Sequence, residues 1–245
     1  MADPVAFTNV GKQFGGRAVL TDVSFSLPQG QTLAVVGESG CGKTTLLQLV
    51  NGVWRADRGE VRVFDAPIPD AELEAFRRRI GYAVQGAALF PHLTCRDNVT
   101  LLARLDRSGA WDAEQIESRY RSLLTDMGLS EELSDRYPHE VSGGQQQRLG
   151  LCRALMLAPE LLLLDEPFSA IDPITRVSIY EEFEQVQARA NVTVMLVTHD
   201  MREAVRLADQ IMILREGVVA QCAPTDSVVQ HPADDYVESL VKKQL

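Results

Sequence analysis

The chain has 245 residues, of which 45% are hydrophobic and 24% charged, a composition typical of a globular protein with a sizeable core. Asp and Glu number 34 against 24 Lys and Arg, so the formal net charge is −10. Proteins that bind nucleic acid or anionic membranes usually carry a basic surplus, and this balance disfavours both classes.

The sequence also bears on where the protein works. No apolar run approaches the ~20 residues that cross a bilayer, and the N-terminus lacks the basic and apolar regions of a secretory signal. The four cysteines are widely spaced and form no CxxC pair, which disfavours disulfides and zinc sites. We therefore expect an intracellular protein without a membrane-spanning segment.

The first third of the chain is predicted to form short strands and one helix. Strands are expected at Val5–Val10, Val19–Ser26, Gln31–Val36, Val61–Phe64 and Ile80–Val84. Gln31–Val36 becomes apolar and β-branched, as in a strand covered on both faces. It leads through a glycine-rich turn into a predicted helix over Lys43–Val50.

The middle of the chain is predicted to be mostly helical. Asp112–Met127 has apolar residues at a helical period and is followed by Gly128, a typical helix end. A second helix is predicted over Gln145–Leu157, ahead of Pro159. We expect one domain over 1–245, in which a helical subdomain of roughly 86–158 is inserted into a core of 1–85 and 159–245.

The last third alternates predicted strands and helices. In order these are Leu161–Leu164, Ile174–Ala190, Val192–Val197, Met201–Ala208 and Gln210–Leu214. Such alternation is typical of a parallel sheet. The predicted fold is therefore a wound α/β core with an inserted helical subdomain.

One glycine-rich turn fits the phosphate-loop pattern GxxxxGK[ST]; its residues are Gly37, Glu38, Ser39, Gly40, Cys41, Gly42, Lys43 and Thr44. Glycines let backbone N–H groups surround phosphate oxygens, and the helix N-terminus adds positive potential. We expect Lys43 to bridge the terminal phosphates and the Thr44 hydroxyl to ligate Mg²⁺. A plain glycine turn is the alternative, and the flanking strand and helix favour a nucleotide site.

Cys41 lies inside this turn at a predicted helix N-terminus. Such a position typically lowers the pKa of a thiol, so we expect alkylation of Cys41 to inactivate the protein and ATP to protect it. The alternative is a thiol too crowded to react.

Two acids end an apolar strand, and two further polar residues follow other strands. At the carboxyl edge of a parallel sheet, Asp165 and Glu166 are expected beside the phosphate loop. Asp165 would hold Mg²⁺ through water, and Glu166 would polarise an attacking water; a strand simply ended by charges is the alternative. His199 and Gln85, taken alone, fit ordinary surface residues equally well.

A second glycine pair, in Ser142-Gly143-Gly144-Gln145, precedes a predicted helix. The S-x-x-Q pattern is typical of a capping box, which satisfies the free N–H groups of a helix start. A helix entry of this kind also binds anions. Because the chain already has one phosphate loop, this second entry is predicted to serve the nucleotide of another subunit.

Five motifs in this order, GESGCGKTT, VSGGQQQR, LLLLDEP, SAIDP and VTHD, together resemble the ATPase subunits of ABC transporters. The resemblance covers almost the whole chain. It implies a P-loop NTPase (RecA-like) core with a parallel sheet, an antiparallel β subdomain and an α-helical subdomain. It also implies ATP and Mg²⁺ as cofactors.

The resemblance implies a role for each matching residue. Phe14, where the family more often has Tyr, matches the adenine-stacking aromatic. Contacts to ATP are implied for every residue from Gly37 to Thr45, and for Ser142, Gly143, Gly144, Gln145 and Asp172. Catalytic roles are implied for Glu166, His199, Lys43 and Gln85, and metal binding for Thr44, Gln85 and Asp165. Val141 and Ile171 stand where the family usually has Leu.

The family mechanism implies partners. Two subunits face head to tail, and each ATP lies between one phosphate loop and the other subunit's signature. The implied partners are a second copy of the ATPase, transmembrane permease chains and, indirectly, a solute-binding protein, with no nucleic acid. The implied location is the cytoplasmic face of the inner membrane, through the permease.

The cargo is indicated by finer similarities. The segments 85–94, 172–176 and 231–240 are similar to those of importers of quaternary amines such as glycine betaine, carnitine or choline. ATPases for polar amino acids or for lipid trafficking share parts of this pattern.

Two function classes other than transport are disfavoured. ABC ATPases that act on DNA or ribosomes usually have two cassettes or a long coiled-coil insertion. A P-loop GTPase or kinase that acts alone would leave the SGGQ motif unexplained.

One apolar loop is a candidate docking site for the permease. Leu89, Phe90 and Leu93 follow Gln85, where exposed positions are normally polar. We expect them to contact a permease helix; packing within the helical subdomain is the alternative.

Overall fold

The computed structural model describes residues 3–169, 171 and 173–245, with the backbone alone for Pro173, Ile174 and Thr175. The chain divides into two compact units, residues 1–77 with 193–245 and residues 78–192. The division falls at 78 and 192 rather than at 86 and 158. We expected the strands Ile80–Val84 and Leu161–Leu164 and the helix Ile174–Ala190 in the core. All three instead belong to the unit of residues 78–192, which also contains the helical subdomain.

The first unit contains an antiparallel sheet in the order β2-β1-β4-β5. Its strands are β1 (Val5–Phe14), β2 (Arg17–Leu27), β4 (Arg58–Val63) and β5 (Ala66–Pro67). Gly15 and Gly16 join β1 to β2 with φ of 56° and 80°. A two-residue hairpin of this hand requires positive φ at both positions, which glycine adopts without strain. The turn therefore fixes Phe14 at the last position of β1.

A second sheet of the first unit carries the phosphate loop. The strands of this sheet that belong to the first unit are, in spatial order, β10 (Val218–Pro224), β9 (Gln210–Arg215), β3 (Thr32–Val36) and β8 (Thr193–Thr198). β3 pairs in parallel with both β8 and β9, and every residue of β3 and β8 is buried. This burial explains their continuous apolar, β-branched sequences. The helices of the unit are α1 (Lys43–Val50), α2 (Leu73–Arg78), α7 (Met201–Leu207), α8 (Thr225–Gln230) and α9 (Asp235–Gln244).

In its described residues, the second unit contains a parallel strand pair and four α-helices. The strands are β6 (Ile80–Ala83) and β7 (Leu161–Asp165), and the helices are α3 (Cys95–Leu105), α4 (Ala113–Asp126), α5 (Gly143–Leu155) and α6 (Pro173–Ala190). Its core includes the fully buried side chains of Tyr120, Phe168 and Phe183. Within the described part of the chain, no helix is both long and apolar enough to cross a membrane.

Candidate nucleotide site

The phosphate loop joins β3 to α1 and is closed by its own lysine. Lys43 is buried, and its Nζ donates to the carbonyl oxygens of Gly37 at 2.7 Å and Glu38 at 2.9 Å. The N-cap of α1 is Gly42, which provides no side-chain cap, and the first turn of α1 contains no acidic residue. A helix start without a side-chain acceptor is suited to an anionic ligand. These features are consistent with the predicted phosphate site.

Two glycines of the loop have no room for a side chain. A Cβ at Gly37 would lie 2.2 Å from the carbonyl oxygen of Leu214. Gly42 has a φ of 110°, and a Cβ there would lie 2.8 Å from Leu20 Cδ2. Packing within the chain therefore requires both glycines of the pattern GxxxxGK.

A cleft of about 750 Å³ borders the phosphate loop within the same unit. It is lined by the hairpin residues Arg17–Val19, by Glu38–Cys41 of the loop, by Arg215–Gly217 and by Tyr236 of α9. Thr44 is exposed and Thr45 is half-buried at the start of α1. The residues predicted to contact ATP in this unit are therefore exposed, half-buried or in the lining of this cleft, except for the buried Gly37, Gly42 and Lys43.

Our expectation for the Cys41 thiol is wrong in sign. Burial raises the pKa of Cys41 above its ordinary value of 9.0, and the nearby Lys43 charge opposes this shift. The helix N-terminus lowers a thiol pKa only where the thiolate remains solvated, whereas Cys41 is 7% exposed.

Alkylation of Cys41 is therefore expected to be slow at neutral pH. Its rate should rise about tenfold per pH unit below the thiol pKa, because only the thiolate reacts. Bound ATP should slow it further by covering the loop. Peptide mass spectrometry after timed N-ethylmaleimide treatment measures this, with the half-buried Cys222 as an internal comparison. Equal labelling of Cys41 with and without ATP would contradict the predicted protection.

His199 follows β8 and is exposed. The loop that carries it is fixed by hydrogen bonds of the neighbouring Thr198. The buried Thr198 hydroxyl donates to Glu203 Oε2 at 2.9 Å and accepts from the Asp200 backbone N–H at 3.0 Å. The Asp200 side chain in turn caps α7. Sequence reasoning missed Thr198 and Glu203. The sequence contained one signal for this support: Glu203, an acidic residue four positions after His199, on a short helix that begins with the N-cap Asp200.

The second unit brings Gln85 and Glu166 together. Gln85 Nε2 donates to Glu166 Oε2 at 3.0 Å, which leaves the Gln85 amide oxygen as an acceptor. Glu166 has a φ of 48°, a left-handed conformation that costs energy in a residue with a Cβ and is typical of functional sites. The predicted base is therefore held in a strained backbone position directly after β7.

Asp165 ends β7 and is 5% exposed. Burial, together with the negative charge of Asp165, raises the pKa of Tyr82 to about 12, so Tyr82 stays protonated at neutral pH. The candidate metal residues Thr44, Gln85 and Asp165 supply hydroxyl, amide and carboxylate oxygens. These hard oxygen donors fit Mg²⁺, which is usually bound by one or two carboxylates together with phosphate and water.

Ser142 caps α5, as the alternative interpretation of SGGQ predicts. Its hydroxyl accepts from Gln145 N–H at 3.2 Å, and Gln145 Oε1 accepts from Ser142 N–H at 2.9 Å. Ser142 and Gly143 are exposed. A Cβ at Gly144 would meet no atom within 4 Å in the described structure. Packing within the described structure therefore does not require a glycine there.

The structure groups the predicted residues in two sets. Phe14, the phosphate loop and His199 belong to the first unit, whereas Gln85, Asp165, Glu166 and the Ser142 turn belong to the second. Asp172 lies outside the described residues. Their roles toward a ligand remain predictions.

Comparison with known proteins identifies the family. A family model described as ABC transporter matches residues 20–169. The choline transport ATP-binding protein OpuBA of Bacillus subtilis is 41% identical over 96% of this chain, which spans 61% of that protein. The glycine betaine uptake system ATP-binding protein YehX of Escherichia coli is 37% identical over 95% of this chain and 75% of its own length.

Solved structures confirm the P-loop α/β fold. The dimeric ATP-binding cassette MJ0796, in a post-hydrolysis state bound to ADP and Pi, matches with a TM-score of 0.82 and 30% identity. The match covers 90% of this chain and 98% of that one. By sequence and by fold, this chain belongs to the ABC transporter family.

Proposed function

We propose that the chain is the ATP-hydrolysing subunit of an ABC transporter that imports a small solute through separate permease chains. The observation that carries this proposal is the preformed phosphate loop, in which buried Lys43 is already bound to the Gly37 and Glu38 carbonyls. The phosphate oxygens of ATP would replace those carbonyls as acceptors of hydrogen bonds from the Lys43 ammonium group. The loop thus needs little rearrangement to bind a nucleotide.

The chemistry assigned to the chain is attack of water on the γ-phosphate. Glu166 would accept the proton of the attacking water, and the Gln85 amide, bonded to Glu166, would orient that carboxylate. His199 would contact the γ-phosphate from a loop fixed by Thr198 and Glu203. Mg²⁺, held by Thr44, Gln85 and Asp165, would neutralise charge on the phosphates.

A second copy of the chain would complete the site. The Ser142 turn presents backbone N–H groups at the N-terminus of the 13-residue α5, and Gly144 leaves it open to an approaching ligand. The related cassette MJ0796 is dimeric in its post-hydrolysis state with ADP and Pi, which supports two-fold assembly here. ATP would then join the phosphate loop of one copy to the Ser142 turn of the other.

The loop after Gln85 is the proposed permease contact. Phe90 is 43% exposed, although its backbone N–H and carbonyl are fixed by the buried Asn98 side chain at 2.7 and 3.0 Å. Leu89 and Leu93 are half-buried. A loop with a rigid backbone and an exposed ring is suited to docking against another chain. This supports permease docking over packing within the unit.

Replacing Phe90 with Ala should therefore reduce transport while leaving the melting temperature and the ATPase rate of the isolated subunit unchanged. Removing an exposed ring costs little folding energy, in contrast to the roughly 3–5 kcal/mol typical of a buried Phe. Leu105→Ala, which truncates a residue 62% exposed at the end of α3, is the matched control. A large loss of thermal stability would assign Phe90 to the unit's own core instead.

The proposed cargo is a quaternary amine or related osmoprotectant. The support is the naming of OpuBA for choline and YehX for glycine betaine, together with the segment similarities found in the sequence. Polar amino acids and lipids are the alternatives for a transporter, and an ATPase acting on nucleic acid is disfavoured by the acidic charge. The subunit would lie on the cytoplasmic face of the membrane, bound to its permease, with a solute-binding protein as an indirect partner.

Uptake in a host that lacks this chain tests the whole proposal. Cells complemented with the wild type should accumulate labelled choline, carnitine or glycine betaine, and cells complemented with Glu166→Gln should not. Labelled ferric iron and sulfate, the cargoes named in other relatives, serve as comparison solutes. Restored uptake of only one of those two would replace the cargo assignment and keep the transporter function. Restoration of none of these solutes would contradict the cargo assignment and favour the polar amino acid or lipid alternatives.

A further inference from the structure

Three side chains of the first unit form a cluster around the ring proposed to stack on adenine. Phe14 and Trp54 make an edge-to-face contact, with ring centroids 5.1 Å apart and planes at 73°. Lys12 Nζ lies over both rings, 5.2 Å from the Phe14 centroid and 6.0 Å from that of Trp54. Phe14 remains 37% exposed and thus open to a ligand.

Each neighbour of Phe14 is itself fixed. Trp54 lies in the turn after α1, and its Nε1 donates to Gln48 Oε1 of α1 at 2.9 Å. Lys12 is 8% exposed and pairs with Asp57 at 3.0 Å. Asp57 also accepts from the Gln13 backbone N–H at 2.6 Å, which ties it to the strand that ends at Phe14. Trp54 and Lys12 are therefore anchored by contacts that do not involve Phe14.

The anchoring of Trp54 and Lys12 matters because Phe14 stands where the family more often has Tyr. A tyrosine ring can be held by a hydrogen bond through its hydroxyl, but a phenylalanine ring has no such handle. An exposed Phe side chain samples several rotamers, and fixing one of them on binding costs affinity. A contact that selects one rotamer beforehand removes that cost. Edge-to-face packing and an overlying cation are the two interactions that act on an aromatic ring in this way.

We propose that Trp54 is a positioning residue for adenine recognition, which holds the Phe14 ring in its stacking rotamer with the help of Lys12. The inference rests on the base-stacking role proposed for Phe14. The Trp54–Gln48 hydrogen bond connects the Phe14–Trp54 ring pair to α1, the helix whose N-terminus is the proposed phosphate site. Because the ring that Trp54 contacts is Phe14, its removal should affect binding of the base and not of the phosphates.

Binding calorimetry with MgATP and with magnesium tripolyphosphate separates these two effects. Trp54→Ala should weaken ATP binding about three- to tenfold, the size expected for one aromatic pair, and leave tripolyphosphate binding unchanged. Trp54→Phe, which keeps an aromatic ring, should restore most of the ATP affinity. Val53→Ala, a truncation at the neighbouring exposed position, is the matched control and should change neither ligand.

Tryptophan fluorescence gives a second, independent readout. The chain has two tryptophans, so Trp111→Phe leaves Trp54 as the sole tryptophan, whose emission is excited selectively over that of the tyrosines. ATP should change the emission of Trp54 in this variant, because the base enters the ring cluster. Tripolyphosphate should leave the emission unchanged. An equal response to both ligands would overturn the proposal.

A double-mutant cycle with Phe14→Ala shows whether Trp54 acts through Phe14. If it does, Trp54→Ala adds nothing to the loss of ATP affinity in the Phe14→Ala background. Additive losses, or equal losses for ATP and tripolyphosphate, would overturn the positioning role. If Phe14→Ala alone leaves the ATP affinity intact, the stacking role of Phe14 fails. A loss from Trp54→Ala in that case would make Trp54 itself the base contact.

Discussion

Glu166→Gln is expected to lower kcat for ATP hydrolysis by at least about a hundredfold, the lower end of the contribution of a positioned general base. The substitution removes the proton-accepting charge but keeps the size of the side chain. The amide oxygen of the substituted side chain can still accept from Gln85 Nε2, which donates to Glu166 at 3.0 Å in the wild type. The local structure should persist, and ATP binding should be unchanged.

Steady-state hydrolysis at saturating ATP and equilibrium binding of labelled ATP measure these two quantities on the same variant. Glu160→Gln is the matched control, since Glu160 belongs to the same unit, pairs with Arg79 at 2.6 Å and lies outside the proposed machinery. Its kcat should equal that of the wild type. A Glu166→Gln enzyme with wild-type turnover would show that the base is another group.

Lys43→Met is expected to weaken ATP binding by about a hundredfold or more, because the lysine would make charge-assisted hydrogen bonds to the terminal phosphates. Methionine keeps a flexible apolar stem in the buried position and removes only the charge and its donors. The loss of the bonds to the Gly37 and Glu38 carbonyls should also lower the melting temperature. The binding constant must therefore be measured well below that temperature.

The control for Lys43 is Lys242→Met, which removes an exposed ammonium paired with Glu238 on α9. ATP affinity should not change in this control. A Lys43→Met chain that is folded by circular dichroism and binds ATP normally would contradict the assignment of the loop as the phosphate site.

The parts of the fold that could be predicted are those whose cause is local. Helix α1 has the predicted bounds, Lys43–Val50, because a strand, a glycine turn and an apolar helix follow one another without interruption. The alternating strands and helices of the last third also match prediction. Helix α3 (Cys95–Leu105) was not predicted as an element, since its first half contains the weak helix formers Cys95, Asp97, Asn98, Val99 and Thr100.

Other elements were missed because their sequences carry weak signals. β10 (Val218–Pro224) is a half-exposed edge strand that pairs only with β9 among the described strands, so its residues need not alternate cleanly. The last helices are short and draw their stability from contacts rather than from propensity. Sequence periodicity does not record such contacts.

The candidate site shows the same division. The phosphate-loop residues are contiguous, so one pattern located them all. The Gln85–Glu166 hydrogen bond joins residues 81 positions apart and depends on the pairing of β6 with β7. The pKa of Cys41 depends on burial, which the motif does not contain, and our expectation from the helix N-terminus therefore had the wrong sign. The Thr198–Glu203 support of His199 is likewise visible only in three dimensions.

If each ATP is shared between two copies of the chain, the oligomeric state of Glu166→Gln measured by light scattering should depend on ATP. With MgATP this variant should be a dimer and without nucleotide a monomer. Adding Ser142→Arg should leave a monomer that still binds one ATP, because the bulky side chain would block the partner's γ-phosphate. Ser130→Arg, at another exposed serine N-cap of the same unit, should leave the dimer intact. An ATP-dependent dimer that persists in the Glu166→Gln, Ser142→Arg chain would show that the Ser142 turn is only a helix cap.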